Sequence, residues 1–267
     1  MFDKMILGRY IQLDSPMHRL DPRTKLLGSL FFILLVFLAA HWIAYAILTF
    51  LVMLAVYLSR IDVKFFIGGL KPMIGLILFT VIFQLLFTGG GDVLFKWGIL
   101  QVTTLGIINS TFMFIRLVLI IMASTILTLT TAPLELTDGI EHLLRPLAKF
   151  GFPSHEIALM LSIALRYVPT LMDEAEKIMN AQRARGVEFD QGSFLDRVKA
   201  MVPILVPLFV SAFNRAEEMA IAMEARGYQG GEGRTKYRQL SYSKEDAIFV
   251  CVLIIVAIML IAIKFYL

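Results

Sequence analysis

A single cysteine, Cys251, stands among the 267 residues of this chain. That excludes an internal disulfide and a multi-cysteine metal site, and the apolar run around it makes it a small hydrophobe. Histidine is nearly as scarce. His18, His41, His142 and His155 form neither a His-x-x-x-His nor a His-Glu-x-x-His pair, so a zinc intramembrane protease lacks its ligand set. His155-Glu156 is a fragment of such a motif, and a helix start explains it as well. No aspartate cluster points to a prenyl or phosphate transferase. No Gly-x-x-x-x-Gly-Lys-Ser/Thr loop is present, so the chain is not its own P-loop ATPase. Charged residues make up only 17%, and the net charge of +4 is spread along the chain. Nucleic acid therefore has no basic patch to bind. Nothing in this inventory reads as a catalytic, cofactor or metal site.

What the chain has in excess is apolar sequence, 58% hydrophobic with a mean hydropathy of +0.77, against about 45–50% in soluble domains. Runs of bilayer-spanning length indicate an all-α, polytopic helical membrane protein. Leu26–Leu58 is too long for one span of about 20 residues. Its break at Ala40-His41-Trp42 predicts a helical hairpin, Leu26–Ala39 and Trp42–Leu58. Gly68–Phe87 is a third span, ended by Gly89-Gly90-Gly91 because glycine has little helix propensity. Leu105–Thr131 is a fourth and Asp246–Ile263 a fifth. The polar, charged segment Met1–Lys25 and the full length of the first run argue against a cleavable signal peptide. Arg9, Arg19, Arg23 and Lys25 precede the first span, and Arg60, Lys64 and Lys71 follow the second. The positive-inside rule then places the N-terminus in the cytoplasm. The expected organisation is residues 1–131 with four spans, 132–244 as a cytoplasmic helical block, and 245–267 as the last span.

The block is charged but carries helical apolar stripes. Ile157, Leu161, Ala164, Val168, Leu171, Ala175 and Ile178 share one helix face, with Glu156, Arg166, Asp173, Glu174 and Lys177 opposite. Ser154 is the expected N-cap, and Pro169 the expected kink. A shorter amphipathic helix, Leu134–Phe150, precedes this one. A long helix, Phe194–Arg226, follows. Its apolar stretch Ala200–Phe213, with Pro203 and Pro207 inside, is too short to span and must pack on another apolar surface or lie at the interface. Gly230–Gly233 reads as a loop.

Both long helices end in Ala-Arg-Gly, at Ala184-Arg185-Gly186 and Ala225-Arg226-Gly227. At the same offset of 41 residues Ala175 matches Ala216, Glu176 matches Glu217 and Ala181 matches Ala222. One such end needs no function: arginine complements the helix dipole and glycine takes the left-handed position beyond the cap. Two matched ends imply two equivalent partners, with small alanines allowing close approach and arginine supplying a fork of donors. Two further features need a partner or a role. Asp14-Ser15-Pro16-Met17-His18-Arg19 precedes a helix start at Asp21 and Pro22 that explains only the residues after it. Arg116 lies mid-span, where a charge costs about 2.5–3.5 kcal/mol; it is expected to face protein, either in a structural pairing with Gln84 or backbone carbonyls or in contact with a partner.

Taken with Leu129-Thr130-Thr131-Ala132-Pro133 and Leu165-Arg166-Tyr167-Val168-Pro169, these segments resemble the transmembrane T component of energy-coupling factor transporters, the ABC-type importers of vitamins and trace nutrients in prokaryotes. The resemblance covers nearly the whole chain, and the paired Ala-Arg-Gly ends are its most specific mark. It implies a non-catalytic scaffold in the plasma membrane, between two ABC ATPase subunits and a substrate-binding S component. ATP and magnesium would be held by the ATPases, with no cofactor on this chain. Arg185 would dock on one ATPase and Arg226 on the other. Leu161, Leu165 and Pro169, with Pro203, Leu205 and Pro207, would carry the motion toward the S component, the prolines acting as bend points. Rival readings are a T component dedicated to cobalt or nickel, an intramembrane enzyme active without ATPases, and a secondary transporter. The last is disfavoured because the 41-residue echo lies outside the spans.

Overall fold

Aspartate or serine followed by proline starts the first two helices, as local physics requires: a side-chain acceptor for an orphan amide, then a residue with no amide to satisfy. The computed structural model describes residues 10–97, 100–189, 191, 193–230 and 240–266. Arg9 and most of the loop expected at Gly230–Gly233 lie outside them. In chain order the helices are α1 (Pro16–Arg19), α2 (Pro22–Leu38), α3 (Trp42–Ser59), α4 (Val63–Leu70) and α5 (Ile74–Phe87). An antiparallel hairpin of β1 (Val93–Trp97) and β2 (Leu100–Thr103) leads into α6 (Thr104–Thr130), α7 (Pro133–Leu144), α8 (Ser154–Ala184), α9 (Phe194–Ala225) and α10 (Lys244–Tyr266). The chain divides into two units, Gly8–Gly139 with Gln239–Leu267, and Ile140–Arg238.

Each apolar run expected to span is helical. Among the described residues, four stretches are long and apolar enough to cross a bilayer unaided: Trp42–Ser59, Val63–Phe87, Thr104–Thr130 and Lys244–Phe265. The fifth, α2, has 17 residues and begins with Pro22-Arg23-Thr24-Lys25, so its apolar part is short for a bilayer core. The third span starts earlier than expected. A 3-10 turn at Lys71–Met73 joins α4 to α5, because Pro72 lacks the amide for an α-helical bond. Pro146 shortens the expected Leu134–Phe150 helix in the same way: α7 stops at Leu144 and a 3-10 segment, Arg145–Phe150, follows. Ser154 is not an N-cap. It is the first helical residue, it is buried, and Pro153 precedes it without a side-chain cap.

In the unit containing the apolar helices, the core joins α2, α3, α6 and α10 through Val36, Leu48, Leu119, Leu129, Leu253 and Leu260. Small residues let the helices approach, as is usual in membranes. A β-carbon on Gly106 would meet the Leu85 carbonyl at 3.1 Å and Thr103 Oγ1 at 3.0 Å, whereas one on Gly75 would meet nothing within 4 Å. Gly106→Leu is therefore expected to destabilise by about 1–3 kcal/mol, and Gly75→Leu to be neutral. Thermal unfolding of the two variants in detergent checks this; equal midpoints would contradict it.

One end of this unit is polar. Ser15 caps α1, and Asp14 and Arg19 form a two-pronged ion pair with both distances 2.7 Å. The His18 ring bridges Ser15 Oγ at 2.7 Å and the Ile11 carbonyl at 2.9 Å. Burial pushes its pKa down, so the neutral ring donates through Nε2 to Ile11 and accepts at Nδ1. Asp21 caps α2, accepting from the Arg23 amide, while its own amide donates to Asp246 Oδ1 at 2.8 Å. The Lys25 ammonium donates to the carbonyls of His18 and Thr130 at 3.0 and 2.8 Å. Burial brings its pKa down to about 8. Its native state thus releases a proton before the unfolded chain does, and this group adds stability as pH rises from about 8 toward the ordinary lysine value. The ordered Asp-Ser-Pro-x-His-Arg string, which the helix start at Asp21 left unexplained, holds a helix start of its own at Ser15-Pro16 and forms the wall of this polar cluster.

Candidate partner-docking ends

The last turns of α8 and α9 are built alike. From Glu174 to Arg185 and from Arg215 to Arg226 the sequence is rich in alanine, glutamate, methionine and arginine, with no proline or glycine. Those residues lose little freedom in a helix. Both helices then stop in a Schellman motif. In α8, Arg185 is the C-cap and Gly186 takes φ +88°; the Gly186 amide donates to the Arg183 carbonyl and the Val187 amide to the Gln182 carbonyl, both at 3.0 Å. In α9, Arg226 is the C-cap and Gly227 takes φ +72°; Gly227 donates to Glu224 at 2.8 Å and Tyr228 to Met223 at 3.0 Å. The backbone at the two caps agrees within a few degrees: φ −86° and ψ 4° at Arg185, φ −87° and ψ 7° at Arg226.

Ala184, Arg185, Gly186, Ala225, Arg226 and Gly227 are all exposed. Neither guanidinium makes a hydrogen bond or ion pair among the described residues; the two backbone amides close their own helices. A β-carbon on Gly186 or Gly227 would meet nothing within 4 Å. Only the left-handed backbone requires glycine there, and the space beside each arginine is open.

The two helices also meet at equivalent positions. Arg215 donates to Glu174 Oε2 at 3.0 Å, across 41 residues of sequence, the same offset that relates the Ala-Arg-Gly ends. The expected polar face of α8 therefore has a correction: Glu174 is turned to α9. Arg185 lies 11 residues beyond Glu174, and Arg226 lies 11 beyond Arg215. At 1.5 Å per residue each arm is about 16 Å long. The pair is only partly shielded, so it contributes about 0.2–1 kcal/mol; its value is in fixing the register between the two helices.

The other residues expected to carry motion fall on the same helices. Pro169 lies on the exposed side of α8, which runs through it unbroken; Leu161 is exposed and Leu165 half-buried. The residues of α8 that are buried are Ser154, Ala158, Ala175 and Met179, so only part of the expected apolar stripe is covered. α9 likewise continues through Pro203 and Pro207 and has no buried residue. Leu205, Val206, Phe209 and Phe213 are each more than half exposed. An apolar face of this length marks an interaction surface. Arg116 is held by neither Gln84 nor a backbone carbonyl. It donates to the Tyr45 hydroxyl at 2.9 Å and lies 5.5 Å from the centre of the Phe37 ring, a partner on α3 that only tertiary packing supplies. Among the described residues no group of three histidine, cysteine, aspartate or glutamate side chains is placed to hold a metal ion.

Residues 14–237 match the family model for CbiQ, described as cobalt transport protein. The chain is 54% identical to the energy-coupling factor transporter transmembrane protein EcfT of Lactococcus lactis, over 96% of this chain and 97% of the relative. It is 53% identical to EcfT of Streptococcus equi, over 98% and 97%, and 51% identical to EcfT of Bacillus subtilis, over 97% and 98%. With these matches over nearly its whole length, this chain belongs to the CbiQ/EcfT family, the transmembrane T components of energy-coupling factor transporters.

Proposed function

We propose that this chain couples two ABC ATPases to a membrane-embedded, substrate-binding S component and thereby drives vitamin import across a prokaryotic plasma membrane. The observation that carries this reading is the pair of identically capped, exposed Ala-Arg-Gly ends on arms of equal length. Two like ends suit two like partners, and the arginines offer donors to carboxylates or carbonyls on each. Arg185 and Arg226 are the docking residues. The N-terminus and both arms lie on the cytoplasmic side, where ATP is. Nucleotide and magnesium are held by the ATPases, and this chain performs no chemistry.

Mechanically, closure of the two ATPases on ATP moves the two docked ends. Arms without proline or glycine transmit that motion without bending, and the Glu174–Arg215 contact keeps them in register. Upstream, Pro169, Pro203 and Pro207 interrupt the helical hydrogen-bond ladders and supply bend points. Leu161, Leu165, Leu205 and the apolar face of α9 pass the motion to the S component. The cargo is set by that partner. The family description of cobalt transport favours a metal as a second reading, whereas the relatives of about half identity carry the general energy-coupling factor name.

The test is affinity purification of the tagged chain from solubilised membranes, with the co-purifying proteins identified by mass spectrometry. Recovery of two ATPases and a small hydrophobic protein is expected, with the ATPases lost from Arg185→Ala/Arg226→Ala. Recovery of the chain alone in both cases would overturn the scaffold reading.

A further inference from the structure

β1 carries three apolar residues in succession, Val93, Leu94 and Phe95, each more than half exposed. In water a run of three exposed apolar residues on a ribbon is a fault unless something covers it. The base of the hairpin is lashed to the ends of α5 and α6. Thr103 Oγ1 donates to the Thr88 carbonyl at 2.9 Å, the Asp92 amide donates to Thr104 Oγ1 at 3.1 Å, and the Thr104 amide donates back to the Asp92 carbonyl at 3.1 Å. The depth of the hairpin is therefore the depth of those two helix ends.

Two rulers give that depth. A β-carbon on Gly106 of α6 would meet the Leu85 and Thr88 carbonyls, and one on Gly69 of α4 would meet Thr125 of α6. Gly106 to Thr125 is 19 residues along α6, and Gly69 to Thr88 is 19 residues along α4 and α5. Each rises about 28 Å, close to a hydrocarbon core of about 30 Å. Lys71 is exposed on this stretch. A cation is costly inside the core, so Lys71 stops the two helices from rising further out of the opposite leaflet. Thr88 lies 17 residues beyond Lys71, about 26 Å. Even an upright α5 thus ends inside the far boundary of the core, and tilt only lowers it. Val93 to Phe95 adds at most about 7 Å in any direction, about the thickness of one headgroup layer.

We propose that Val93, Leu94 and Phe95 are an interfacial anchor, inserted into the lipid leaflet farther from Lys64 and Lys71. Their side chains lie among the upper acyl segments, and the ribbon backbone lies at headgroup level. Depth chooses lipid as the occupant, because the short spans hold the triplet within the leaflet. Continuity agrees: Phe79, Phe83 and Phe87, stacked in sequence and exposed, lead up α5 to the hairpin. Two features keep the ribbon from sinking deeper. A two-stranded ribbon has an unpaired edge on each side, and open edges are not tolerated in hydrocarbon. Asp92 and Lys96 also flank the triplet in sequence. The anchor fixes the depth of α5 and α6 in the membrane, and the inference requires only that these two helices span it.

The experiment uses the full chain with Cys251→Ala in phosphatidylcholine nanodiscs, carrying one nitrobenzoxadiazole dye at Leu94→Cys or, as a mid-core reference, at Phe79→Cys. The dye at 94 is expected to lose most of its emission to a lipid nitroxide near the top of the acyl chain, and little to one at the chain end or to aqueous iodide. The dye at 79 should respond most to the nitroxide at the chain end. In the unmodified chain, within the membranes that produce it, a phospholipid with a diazirine near the top of its acyl chain should label residues 93–95, which keeps the test independent of the variants. Free quenching of the dye at 94 by iodide would place the ribbon in water and overturn the proposal. So would shielding from iodide and both nitroxides, or the absence of photolabel on 93–95, since either result puts protein over the triplet. Failure of either nitroxide to quench the dye at 79 would remove the spanning of α5 and the anchor with it.

Discussion

Replacing Asp246 by alanine is expected to destabilise the membrane unit by about 2–4 kcal/mol, the combined effect of an orphaned buried amide and a lost helix cap. Its carboxylate is buried and closes two helix starts at once. Oδ1 accepts from the Asp21 amide at 2.8 Å, and Oδ2 accepts from the Ser243 amide at 2.7 Å and its hydroxyl at 2.8 Å. Ser243 in turn accepts from the Asp246 amide, so the pair forms a capping box at the start of α10. Alanine leaves the buried Asp21 amide with no acceptor, at about 1–3 kcal/mol, and removes the cap, at about 1 kcal/mol more. A membrane domain stable by about 5–15 kcal/mol loses much of its margin. Asp246→Asn keeps one acceptor oxygen and should show roughly half the effect, following the same per-bond estimate. Purified yield and thermal midpoint in detergent read the outcome, and an Asp246→Ala midpoint equal to the wild type would refute it.

Loss of both arginine ends should reduce ATPase recovery far more than either loss alone. Arginines that anchor an interface contribute about 2 kcal/mol, or roughly 30-fold in affinity. When two ATPases associate with one another and with two ends of one chain, a single intact end still holds the pair at high effective concentration. Arg185→Ala and Arg226→Ala are therefore expected to lower coupled uptake while leaving a good part of the ATPase bound. The double variant should retain almost none. Arg→Lys at either end keeps the charge but removes the fork of donors, so its effect should fall between wild type and alanine. Measuring the ATPase-to-scaffold ratio for the wild type and each variant decides the matter; a double variant no weaker than the singles would show that the ends do not act as a bivalent pair.

The apolar helices were legible because a bilayer demands long uniform runs, and hydropathy records length directly. So were the helix ends at Arg185 and Arg226, where a glycine follows the last periodic residue. Contacts between distant segments were not. The Glu174–Arg215 pair has the same 41-residue offset as the alanine matches, and that offset could have exposed it; periodicity alone put Glu174 on a solvent face. Arg116 finds Tyr45 across 71 residues, and the Asp21 amide finds Asp246 across 225, separations at which no local pattern operates. The β1–β2 hairpin was missed for another reason. Val93, Leu94 and Phe95 are all exposed, so the strand lacks the apolar–polar alternation that identifies a half-buried one.

The equal arms also set a phase. Eleven residues at 3.6 per turn make just over three whole turns, so each arginine leaves its helix at nearly the azimuth of the Glu174–Arg215 contact. A single residue inserted in one arm would lengthen it by only about 1.5 Å but swing its cation about 100° around the axis. Seven residues, close to two turns, would extend the arm by about 10 Å and return the cation nearly to its bearing. The scaffold is thus keyed by angle more tightly than by reach, and chains whose arms differ in length by whole turns could still present both cations in the same orientation.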